Sequence, residues 1–118
     1  MKSKIYKTHQ WVDEFPGAIT VCGMDGDIVE MNGRSKETFA KNGGEKLLGR
    51  DVRDCHPPAA QVKLEELLES GGRNVYTIEK NGIRKLIYQA PWYENGERMG
   101  LVEFSLEIPE KLPHFKRV

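Results

Sequence analysis

With 118 residues, 18 lysines and arginines balanced by 18 aspartates and glutamates, and 38% apolar residues, the chain reads as one domain with a single core and no net field. That balance excludes the basic surface expected of a small nucleic-acid binder and offers no attraction to an anionic membrane. Two cysteines, Cys22 and Cys55, are too few for a disulfide framework or a metal knuckle, and Met1-Lys2-Ser3-Lys4 leads into no apolar signal core, so a cytoplasmic chain with free thiols is expected.

Ile5, Thr8, Val12 and Phe15 recur at helical spacing, which predicts a short amphipathic helix over Ser3 to Glu14, stopped by Phe15-Pro16-Gly17. Such a helix packs either on its own sheet or on a second copy of the chain. Ala18 to Cys22 and the run Ile28, Val29, Met31 form the two strands of a hairpin around Asp25-Gly26. At Asn32 the β period gives way to a helical one. Its short amide suits an N-cap, and Arg34 to Lys41 follow as a polar helix presenting Phe39 and Ala40.

Asn42-Gly43-Gly44 breaks the chain, and Glu45 to Leu48 is a single helical turn ended by Gly49. The loop Asp51 to His56 leads to Pro57-Pro58, which mark a helix start because a missing N–H costs nothing in the first turn. Ala60, Leu64, Leu67 and Leu68 then share one stripe, with Lys63, Glu65, Glu66 and Glu69 opposite, and Ser70-Gly71-Gly72 ends the longest helix.

The remainder is β. Asn74 to Lys80 and Ile83 to Tyr93 pair around Asn81-Gly82, and Glu94-Asn95-Gly96-Glu97 turns into a last strand. In that strand Val102, Phe104, Leu106 and Ile108 alternate with Leu101, Glu103, Ser105 and Glu107, which predicts a buried face carrying Val102, Phe104 and Leu106 and a wet one opposite. Pro109 and Pro113 end regular structure, leaving residues 109–118 as an irregular tail. Two strands in front and three behind can join in one five-stranded antiparallel sheet with helices on one face, an α+β arrangement.

This order resembles the PAS domain family. The residues that carry the resemblance are Phe15-Pro16-Gly17-Ala18-Ile19, Asp25-Gly26 followed by Ile28-Val29-Glu30-Met31-Asn32, Leu48-Gly49-Arg50-Asp51-Val52, the Asn81-Gly82 hairpin and the strand Gly100 to Ile108. The resemblance implies a PAS-like domain over residues 15–108, preceded by a flanking segment, residues 1–14, that serves as a dimer helix. It also implies a non-enzymatic sensory role in signal transduction. A small ligand or a signalling partner protein would be recognised, with output in trans or through a homodimer; from the charge balance, neither nucleic acid nor membrane is expected as a partner.

The pocket implied by the resemblance is lined by Phe39, Cys55, His56, Val62, Leu67, Tyr76, Tyr88, Trp92 and Phe104. His56 could ligate haem iron, as in haem-binding relatives, or hydrogen-bond the backbone at a helix entrance. Cys55 could be a redox-sensitive thiol or a packed one. The aromatics Tyr76, Tyr88, Trp92 and Phe104 could stack on a planar ligand or simply fill core and interface. The Asn-Cys-Arg-type segment of flavin-adduct relatives is missing, which discounts a photochemical flavin adduct. No nucleophile and base stand at catalytic spacing, and the glycine pairs lack the lysine and hydroxyl of a phosphate loop.

Overall fold

Two Asn-Gly dipeptides govern how the C-terminal half folds. In the computed structural model, which describes residues 9–118, Asn81 and Asn95 take φ of 53° and 50°, and Gly82 and Gly96 follow at 77° and 79°. Two successive left-handed residues make the turn whose twist matches that of paired strands. The turns therefore join three strands without a gap: β3 (Asn74–Lys80), β4 (Ile83–Glu94) and β5 (Glu97–Ile108).

The front hairpin supplies β1 (Ala18–Gly23) and β2 (Ile28–Met31), and the sheet order is β2-β1-β5-β4-β3, with every neighbouring pair antiparallel. The first and last strands in sequence are thus adjacent, which closes the chain around one core. The helices are α1 (Trp11–Glu14), α2 (Gly33–Thr38) and α3 (Pro58–Ser70), with 3-10 turns at Ala40–Asn42, Gly44–Leu47 and Val52–Cys55. Of the N-terminal helix expected over Ser3 to Glu14, the structure describes the end as α1; residues 3–8 lie outside the described residues. No helix among the described residues is long and apolar enough to cross a membrane.

Asn32 caps α2 as its sequence position predicts, and it does more than cap. The side-chain oxygen accepts from Ser35 N at 3.0 Å and Ile19 N at 2.9 Å, while Nδ2 donates to Gly17 O at 2.8 Å and Val12 O at 2.9 Å. With 1% of its surface exposed, this amide uses its hydrogen-bonding capacity to tie α1, β1 and α2 together. At the other end of the helical layer, α3 begins on Pro58 and stops at Gly71, whose φ of 70° is the left-handed C-cap. Its stripe of Leu64, Leu67 and Leu68 packs with Cys22, Ile28, Met31, Leu47, Val52, Cys55 and Leu101 in the core.

One expectation is reversed. Leu101, Glu103 and Ser105 share the helix-facing side with Ile87 and Gln89, and the face carrying Val102, Phe104 and Leu106 is half-buried on the opposite side. Alternation could not choose between two faces that both carry apolar residues, and the pairing of these strands also contains a bulge. Pairing runs Glu94 with Glu97 and Tyr93 with Arg98, then shifts so that Trp92 meets Gly100 and Gln89 meets Glu103. The extra residue on β5 changes which β5 side chains share a face with β4, so that Glu103 and Ser105 stand beside Gln89 and Ile87 on the helix-facing side.

Candidate functional site

A proline fixes the central residue of the site. His56 precedes Pro57, a position that disfavours helical torsions, and it sits extended at φ −128°, ψ 148° between the Val52–Cys55 turn and α3. Its ring then turns under the helix. Nδ1 lies 2.9 Å from Val52 O and Nε2 lies 3.3 Å from Glu103 Oε1, while Gln61 Nε2 holds the His56 carbonyl at 2.9 Å.

Glu103 is buried with it. Gln89 Nε2 donates to the same Oε1 at 2.6 Å, and Asn74 Nδ2 donates to Gln89 Oε1 at 2.9 Å. A polar chain thus runs Asn74, Gln89, Glu103, His56, Val52 through an otherwise apolar interior. Burial by itself pushes the His56 imidazole down, but the contacts to Cys55 and the Glu103 carboxylate outweigh it and push it up to about 10. These contacts favour the protonated ring, in which Nδ1 donates to Val52 O and Nε2 to Glu103. A paired charge of this kind survives burial because its partner and hydrogen bonds compensate the lost water.

Beside this network opens a cavity of about 430 Å³. One wall is Cys55, His56, Pro57, Ala59 and Ala60; the sheet contributes Tyr76, Ile78, Lys80, Lys85, Ile87, Glu103 and Ser105; Thr38 and Phe39 close one side. The Phe39 and His56 rings lie 5.9 Å apart. Mostly apolar walls with a few convergent polar groups, at this volume, are the usual make-up of a small-molecule site.

Of the residues anticipated from sequence, Phe39, Cys55, His56 and Tyr76 meet at this cavity. Leu67 is core beneath α3, and Val62 is 57% exposed. Tyr88, Trp92 and Phe104 share the far face of the sheet, where Tyr88 Oη accepts from Arg73 Nη1 at 3.1 Å and Trp92 Nε1 donates to Cys22 O at 2.9 Å. Cys55 is a packed thiol whose Sγ donates to Val52 O at 3.2 Å, and burial pushes the Cys22 thiol up to about 11. Glu103 and Gln89 escaped the sequence reading because two polar residues in adjacent strands look like a wet face. Their signal is the pairing itself, which places them directly opposite one another.

Several solved structures share the architecture. The PAS domain of the histidine kinase ThkA superposes with a TM-score of 0.62 at 20% identity, covering 76% of this chain and 97% of that one. The PAS domain of BvgS from Bordetella pertussis gives 0.61 at 20% identity over 86% and 83%. The Aer2 receptor from Vibrio cholerae, described as a dual PAS-haem oxygen sensor, gives 0.58 at 12% identity over 79% and 95%. No curated protein sequence is significantly similar. The profile of the PAS fold matches residues 12–111, and with the strand order, the covering helices and the cavity between them in place, the chain belongs to the PAS family.

Proposed function

We propose that this PAS domain is a non-enzymatic sensor that takes up a small molecule in the cavity between α3 and the sheet and signals through a partner protein or a second copy of itself. The observation that carries the reading is the cavity of about 430 Å³ built against the buried His56–Glu103–Gln89 network. A ligand there touches groups from α3, β3, β4 and β5, so its binding free energy bears on how the helical layer sits on the sheet. A signal requires such differential affinity for two arrangements. The PAS domain of the histidine kinase ThkA, among the structural relatives, supports the class of function.

The far face of the sheet supports self-association. It presents Leu86, Tyr88, Trp92, Val102, Phe104 and Leu106, all half-buried, and Trp11 of α1 is 64% exposed. Two free thiols, both buried, are consistent with a reducing, cytoplasmic setting.

Haem coordination through His56 does not fit the geometry, because Nδ1 faces Val52 O and Nε2 faces Glu103, so iron would have to displace the carboxylate. Native mass spectrometry of freshly purified protein tests the principal reading. A co-purifying small molecule, lost when Ala60→Phe fills the cavity, is the expected result. A bare-chain mass, with no thermal shift from any member of a small-metabolite library, refutes it.

A further inference from the structure

The charges around the cavity are unevenly distributed. At its deep end Glu103 is already engaged, by His56 Nε2 at 3.3 Å and by Gln89 Nε2 at 2.6 Å. At the other end stand exposed Lys80 and half-buried Lys85, both lining the cavity. Among the described residues neither lysine meets a carboxylate within 4.0 Å. Glu107 stands opposite Lys85 in the register, exposed and outside ion-pair distance, and Glu79 reaches Arg84 at 3.9 Å.

The strand register sets the distance between the two ends. Gln89 and Glu103 form one cross-strand row, Ile87 and Ser105 the next with Tyr76, and Lys85 the row after with Ile78. Four residues of extended chain separate Gln89 from Lys85, about 14 Å at the usual strand rise. Between the charged ends the walls are Ile78, Ile87, Phe39 and Ala60.

We infer that the cavity selects a small carboxylate with an apolar body, its head group held at the mouth by Lys80 and Lys85 and its body lying over Ile87 toward Phe39. The inference rests on the reading of the cavity as a ligand site. The orientation follows from charge: at the deep end an anionic head would meet Glu103 already engaged by His56 and Gln89, whereas at the mouth it meets two ammonium groups with no carboxylate within 4.0 Å among the described residues. Burying the body screens the head from bulk water on one side, which strengthens a contact that two free surface charges would barely make.

Calorimetric titration of the full chain with 3-phenylpropanoate and with its neutral amide, 3-phenylpropanamide, tests this, with indole as an uncharged apolar probe. The expected result is about tenfold tighter binding of the acid, the scale of a charge-assisted contact. The Lys80→Met/Lys85→Met variant, which keeps the apolar stems, is expected to bind acid and amide alike while retaining affinity for the amide. Equal affinities in the unaltered protein, or an acid preference that survives the double substitution, overturn the carboxylate inference and leave the ligand site standing. If none of the three probes binds or shifts the amide resonances of Ala60 and Ile87, the ligand site itself is refuted and the inference falls with it.

Discussion

Replacing Asn32 by alanine removes a side chain that joins α1, β1 and α2, and the cost can be built up bond by bond. Loss of the cap to Ser35 N alone costs about 1 kcal/mol. Three further groups then lose their partner: Ile19 N and Gly17 O are buried, while Val12 O is partly open to water. An orphaned buried donor or acceptor costs roughly 1–3 kcal/mol. Allowing water to reach Val12 O, the sum is about 3–7 kcal/mol, or roughly 12–28 °C in melting temperature for a domain of this size. Urea unfolding followed by tryptophan fluorescence reads it. Asn32→Asp, which keeps both acceptor contacts but turns a carboxylate oxygen toward Val12 O and Gly17 O, is expected to fall between alanine and the native residue. A loss of only about 1 kcal/mol for Asn32→Ala, the value of a helix cap alone, would refute the bridging role.

His56 makes stability fall with alkaline pH. Its folded-state value lies above the unfolded 6.5, so its contribution is fully present below pH 6.5 and fades as pH rises toward about 10. Unfolding free energies that stay level across pH 6.5–10, after allowance for other groups, would contradict this. Glu103→Gln should lower the His56 titration midpoint, seen in imidazole NMR shifts, by about one pH unit or more, as expected when a buried carboxylate partner is lost; an unchanged midpoint counts against the pair. Gly100→Ala is expected to cost roughly 3 kcal/mol in denaturant unfolding, because its Cβ would collide with the Cys22 carbonyl oxygen across the β1–β5 ladder. A near-neutral result would mean the two strands separate there easily. Phe104→Glu should leave the fold intact and reduce self-association in light scattering, since Phe104 lies on the face away from the cavity; an unaltered dimer would exclude that face.

The sensing and the signalling surfaces, as proposed, lie on opposite sides of one sheet. β4 and β5 carry both: Ile87, Gln89, Glu103 and Ser105 turn toward α3, while Tyr88, Trp92 and Phe104 turn away. A ligand that shifts the twist of these two strands therefore alters both faces together. Asn32 links the same sheet to the chain before it, through Val12. A displacement of β1 therefore has a direct route to the N-terminal segment.

Local chemistry was legible in the residues themselves. Asn32 as a cap, Pro57-Pro58 at the start of α3, Gly71 at its end and both Asn-Gly turns follow from backbone torsions and orphaned N–H groups, which depend on neighbours a few positions away. The element order, and with it the family, followed from those signals. What only the tertiary structure decided was which face of the sheet meets the helices. Both faces of β4 and β5 carry enough apolar residues to pass for a core, so alternation could not choose between them, and the bulge at Trp92/Tyr93 shifts the pairing by one residue with no mark in composition. That shift sets Gln89 against Glu103 under His56, 47 positions away from Glu103 in the chain. Burial of a charge is a property of the partners that surround it, and those partners are brought together by the fold.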